Sequence, residues 1–196
     1  MLRATLLLCS AATAAGLDLF SRLMPKRPLA GYPSKAASVA DVLAEVTWPS
    51  EFPLTEQDFL RSDESTDTSF YDTPRFCFHV DDKAVAALTD YYSTAFKEWD
   101  EPAILDICAS HVSHFPEDVA EYAGRRVALG MNELELKENK QVTEFVVKDL
   151  NADPSLPFED DSFDIVTNVV SIDYLTKPLE ICKEVDQDKM YRTARC

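Results

Sequence analysis

Four short apolar runs recur in the second half of this chain: Ala103 to Cys108, Val127 to Met131, Phe145 to Lys148, and Asp164 to Val170. Stretches of helical character stand among them at Phe115 to Tyr122, Glu133 to Asn139 and Pro178 to Val185. Runs that are apolar throughout, rather than alternating, belong to strands buried on both faces. Strands interleaved with helices then give a parallel sheet with helices packed on each side. The expectation is an α/β fold, an open sheet of Rossmann type, with ligands met at the carboxyl ends of the strands.

Upstream the pattern is different. Val39, Val42, Leu43 and Val46 fall at helical spacing and predict a short helix that stops before Trp48-Pro49. Residues 49–70 mix Pro, Ser, Thr, Asp and Glu around isolated anchors such as Phe52, Leu54, Phe59 and Leu60, and predict an irregular surface segment. Asp81 is placed to cap a helix from Asp82 to about Phe96, with Val85, Leu88, Tyr91, Tyr92 and Phe96 on its apolar face.

Charge divides the chain again. Residues 1–40 hold Arg3, Arg22, Lys26, Arg27 and Lys35 against the single acid Asp18, although the whole chain carries a net charge of −16. A basic start, a short apolar stretch from Ala4 to Ala15 and the small residues Ala12-Thr13-Ala14 outline a secretory signal. The Ser, Pro and basic residues of 17–40 suit an organelle transit peptide instead. A plastid is the favoured destination, with the secretory pathway as the alternative. The acidic remainder excludes phosphate-backbone binding as a main task, so no nucleic acid is expected. No apolar run reaches the ~18 residues of a membrane span. Cys77, Cys108, Cys182 and Cys196 form no C-x-x-C, and Cys108, inside an apolar run, reads as a buried thiol.

The most specific string is Asp149-Leu150-Asn151 followed by Leu156-Pro157-Phe158-Glu159-Asp160-Asp161-Ser162-Phe163-Asp164-Ile165-Val166. It resembles the class I S-adenosylmethionine-dependent methyltransferases of the type 11 kind. Their corresponding strands are joined by an acid and then L-P-F-x-D-x-S-F-D-x-V. Phe70-Tyr71-Asp72-Thr73-Pro74-Arg75-Phe76, His79-Val80-Asp81-Asp82, Ile104 to His114 and Leu129 to Glu133 extend the resemblance to a plant and algal subgroup, over about residues 48 to 185.

The resemblance implies a three-layer Rossmann-like sheet, incomplete, with about four of the usual seven strands. It also implies S-adenosyl-L-methionine as cofactor, held by Asp106, Ala109, Ser110, Asn132, Glu133, Asp149 and Leu150. The domain reading is a leader at 1–40, disordered; a helical and irregular lead-in at 41–100; the partial methyltransferase domain at 101–185; and an aberrant tail at 186–196. Three departures stand out. Asp106 is followed by Ile107, Cys108, Ala109, Ser110 and His111, where the family's D-x-G-x-G-x-G has glycines that admit the cofactor. The ribose-binding acid falls on either Asn132 or Glu133. After Val185 the chain lacks the family's further strands, which predicts an open edge along the fourth strand and self-association through it.

Cys108, His111 and His114 stand at three-residue steps, with Asp106 or His79 as a fourth group. That spacing crosses a strand end and a loop, so no metal site is expected. His111 and His114 read either as a base near the acceptor or as histidines bonded within the fold. Asp173 and Tyr174 read either as acceptor-pocket residues or as a capped helix start. Two functions remain open: methyl transfer to a small-molecule acceptor, or a non-catalytic remnant that keeps the half-sheet without the cofactor.

Overall fold

The computed structural model describes residues 7–9 and 49–186. The helix expected over Val39 to Val46, most of the leader and the tail beyond 186 lie outside the described residues. The chain divides into two compact units, residues 12–60 and residues 1–11 with 61–196. In the first, Thr55 caps a 3-10 turn over Glu56–Phe59, and the Phe52 and Phe59 rings stack 6.2 Å apart.

The second unit is the sheet. Its strands are β1 (Leu7–Cys9), β2 (Ile104–Ile107), β3 (Arg126–Gly130), β4 (Glu144–Val147) and β5 (Ile165–Val169). All pair in parallel, in the order β1-β5-β2-β3-β4. The four expected strands are present to within a residue or two at each end. β1 was not expected. It pairs Leu7 with Thr167, Leu8 with Asn168 and Cys9 with Val169, so the edge of β5 that the sequence reading left open has a backbone partner over three residues. Leu7–Cys9 are described as a strand, within the stretch that the sequence reading took as part of a leader.

Helices α1 (Asp67–Tyr71), α2 (Asp82–Ala95), α3 (Val119–Tyr122), α4 (Glu133–Glu138) and α5 (Pro178–Asp186) cover the sheet and its ends. Alternation along the strands sorts the core by face. Leu105, Ile107, Val127, Leu129 and Val166 pack with Leu150, Phe163, Leu175 and the α5 residues Ile181 and Val185. Ile104 and Ile165 pack on the other side with Leu88 and Tyr92 of α2, Phe96, Phe115, Val119 and Ala123. The start of α2 is as the sequence predicts: Asp81 Oδ1 accepts from the backbone N–H of Lys83 and Ala84, both at 2.9 Å. The helix expected from Phe115 begins only at Val119, because Phe115 is drawn into the aromatic cluster, edge-on to both Tyr92 and Phe96.

Candidate functional site

β2 has β3 on one side and β5 on the other, and the chain runs from β2 first to β3 and later to β5. The order reverses between β2 and β5, so the crevice of such a sheet opens at their carboxyl ends. The segment after β2 forms one wall. It contains no glycine, yet Cys108 and His114 take left-handed backbone angles, φ 56° at each. That conformation costs a side-chain-bearing residue roughly 1–2 kcal/mol, so something must hold the loop in place.

The buried side chain of Asn139 does so. Its amide nitrogen donates to the Ser110 carbonyl at 3.1 Å and to Ser113 Oγ at 2.9 Å. Gln141 accepts from the Ser113 N–H at 3.0 Å and donates to the Phe115 carbonyl at 2.7 Å. The Ala109 N–H extends the ladder to the Leu129 carbonyl at 2.8 Å. Here a single glycine is required, but on β3: a Cβ at Gly130 would lie 2.1 Å from the Ala109 carbonyl oxygen.

The expected site residues fall in different places. Asp106 is buried inside β2 and accepts from Thr167 Oγ1 at 2.8 Å. Burial pushes its carboxyl up to about 7, against the lowering effect of hydrogen bonds from Ser113 and Thr167. It is buried within the sheet, near the carboxyl end of β2. Ala109 and Ser110 line the loop, half-buried. Asn132 caps α4, its Oδ1 accepting from the N–H of Leu134 and Glu135, both at 3.0 Å. Glu133 is exposed and pairs with Lys137 at 2.7 Å. Asp149 ends the chain leaving β4, and its Oδ1 accepts from the N–H of Asn151 at 2.9 Å and of Ala152 at 3.2 Å. Leu150 is a core residue, so only its backbone remains for a ligand.

His111 lies by Ser110 Oγ, 3.2 Å from Nδ1, and under the edge of Phe76. His114 lies by Phe78, and its Nδ1 is buried without a hydrogen-bond partner. Burial, with the neighbouring His111 and His79, pulls the His114 imidazole below its usual range. Asp173 and Tyr174 sit exposed in a 3-10 turn over Ile172–Tyr174, where the Tyr174 carbonyl accepts from Asn151 Nδ2 at 2.9 Å. Among the described residues no group of three His, Cys, Asp or Glu is placed to hold a metal ion. The Cys108 thiol is driven up to about 12 by burial, which makes it an inert packing group.

Three groups at these strand ends escaped the sequence reading. Glu135 is a buried carboxylate, accepting from Ser110 Oγ and from the Arg75 N–H, each at 2.6 Å. It lies three residues after Asn132, the N-cap of α4, at the spacing of a helix capping box. Tyr71 ends α1, and its hydroxyl is raised to about 12 by burial and by the nearby Cys108 and Tyr174. Asn168, buried in β5, accepts from Ser171 Oγ at 3.0 Å but leaves its amide N–H group without a partner.

Comparison with known proteins bears on this arrangement. Residues 107–187 match the family model described as a methyltransferase domain. A putative methyltransferase from Bacillus halodurans is 21% identical, with 55% of this chain and 47% of that chain covered at a TM-score of 0.43. A SAM-dependent methyltransferase from Aquifex aeolicus is 14% identical, with 57% and 69% covered at 0.41. A phosphoethanolamine N-methyltransferase from Haemonchus contortus, solved with phosphoethanolamine and S-adenosylhomocysteine, is 16% identical, with 57% and 30% covered at 0.38. The chain spans about half the length of the first solved structures it matches. No curated protein matches it.

Proposed function

We propose, from the match of residues 107–187 to the methyltransferase-domain family model, that the chain binds S-adenosyl-L-methionine and transfers its methyl group to a small-molecule acceptor. The carrying observation is that this stretch supplies the strand ends on both sides of the order reversal, with polar side chains gathered there. The residues fit the cofactor's chemistry in two respects. Glu135 is a desolvated carboxylate with two acceptor oxygens, suited to a pair of hydroxyls. Asn168 adds a buried amide at the end of β5, beside the Cys108 thiol, as a second polar group at these strand ends.

When bound, the cofactor supplies a methyl group on a positively charged sulfur, open to in-line attack. The chain's own task is alignment and exclusion of water. Asn139 and Gln141 fix the loop that carries Ala109 and Ser110. Asp149 holds the turn after β4 at the position where a carboxylate edge meets a base. His114, whose imidazole is held below its usual range by burial and by the neighbouring His111 and His79, stands at the end of the loop after β2, beside Phe78.

Calorimetry with S-adenosylhomocysteine tests this reading. Wild type is expected to bind, and Asp149→Ala to weaken binding by about 1–3 kcal/mol. Absence of binding by wild type overturns the reading and favours a cofactor-free remnant. The basic, acid-poor residues 1–40 support delivery to an organelle, a plastid first. A fluorescent fusion of residues 1–40 that stays diffuse in the cytosol overturns that part.

A further inference from the structure

Two polar side chains at the carboxyl end of β3 are engaged by one segment from outside the sheet. Asn132 Nδ2 donates to the Tyr71 carbonyl at 2.7 Å, and the Arg75 N–H donates to Glu135 Oε1 at 2.6 Å. A capping box would turn Glu135 back onto the N–H of Asn132. Here it is turned outward to Arg75, while its other oxygen takes the Ser110 hydroxyl at 2.6 Å. A buried carboxylate needs donors on both oxygens, and two donors are what adjacent hydroxyls of a sugar supply.

The remainder of that segment is held lightly. Phe70, Phe76 and Phe78 are 55%, 56% and 58% exposed, so the strap from Phe70 to Phe78 buries little apolar surface. The Arg75 guanidinium is itself exposed and lies 4.0 Å over the Phe70 ring. Its contacts with the loop after β2 are ring contacts of Phe76 and Phe78 with His111 and His114. A segment fixed by a few backbone-to-side-chain hydrogen bonds and the half-buried Tyr71, with its three phenylalanine rings largely in water, is the kind that opens at low cost.

Resting on the cofactor reading above, we propose that Glu135 is the diol-receiving carboxylate of the crevice and that the Tyr71–Arg75 strap stands in for the diol in the free chain. Cofactor binding and strap closure then exclude one another at Glu135. The strap is a built-in competitor.

Amide hydrogen exchange on the full chain, with adenosylhomocysteine as an unreactive probe, tests this. The Arg75 amide is expected to be protected in the free chain and to exchange about tenfold faster or more at saturating probe. Probe bound with Arg75 protection unchanged or raised overturns the proposal and leaves the cofactor reading standing. Arg75→Pro gives a second arm, since it removes the N–H without altering Glu135. It is expected to bind the probe about tenfold or more tightly than the parent. Equal or weaker binding by a folded Arg75→Pro chain overturns the proposal. If that variant does not fold, the exchange measurement on the parent decides. Absence of binding by both chains overturns the cofactor reading and the strap together.

Discussion

The sheet is covered in two ways that differ in kind. On one face α2 and its continuation bury Tyr92 and Phe96 completely, stacked 4.6 Å apart and meeting Phe115 edge-on. Over the carboxyl ends, the strap from Phe70 to Phe78 is held by hydrogen bonds at its backbone and by the half-buried Tyr71, with its phenylalanine rings largely in water. The first covering draws its strength from area removed from water and has one arrangement. The second draws on a few directional bonds that a ligand's hydroxyls can replace. Stability and access are thus assigned to different segments of one unit, and the region bearing the polar strand-end groups is the one least secured by packing.

Truncating an aromatic in each covering probes this division most severely. Phe96→Ala is expected to destabilise by about 3–5 kcal/mol, enough to unfold a marginal domain. Phe78→Ala should cost under about 1 kcal/mol, as surface substitutions do. Denaturant melts giving similar losses for the two would erase the distinction.

Asp106 lies on the aromatic face, and its behaviour with pH sharpens the contrast. Its folded value of about 7 stands above the ordinary value near 3.8, so the folded chain holds a proton that the unfolded chain releases. Its contribution is therefore fully present below about pH 4 and is lost as pH rises toward and through 7. Wild type is expected to lose on the order of 4 kcal/mol over that window through this group, and Asp106→Asn to lose little. Parallel stability curves for the two chains between pH 4 and 8 would show that Asp106 does not retain its proton.

The smallest effect tests the border between the regions. Asn139 anchors the loop on which the strap rests, and Asn139→Ala should cost about 1–3 kcal/mol by orphaning buried groups. Because the loop's left-handed residues relax once released, faster amide exchange is expected over 108–114 and not over α2. Uniform acceleration across both would join them into one cooperative unit.

Much of the frame was legible because its signals are local. Apolar runs marked β2 to β5, and Asp81 followed by a 3.6-residue period marked α2. β1 was not legible: three residues inside the apolar stretch from Ala4 to Ala15 carry no strand pattern, and only their pairing with β5 defines them. The site was legible by region rather than by residue. Asp106, within β2, and Leu150, in the turn after β4, sit where a linear pattern places a ligand, and the fold buries the side chains of both. Glu135 reads as a capping residue until Arg75, sixty positions earlier, is seen to donate to it. Long-range partners of that sort leave no trace in spacing.

Gly130 carries a mechanical consequence. With the Ala109 carbonyl resting where a side chain would begin, and the Ala109 N–H bonded to Leu129, the tips of β2 and β3 have almost no play between them. A force applied at one is delivered to the other. Ser110 next along the chain bonds Glu135, which takes the Arg75 amide, so a continuous run of close contacts joins the two strand tips to the strap. A single position without a side chain is what lets that run begin.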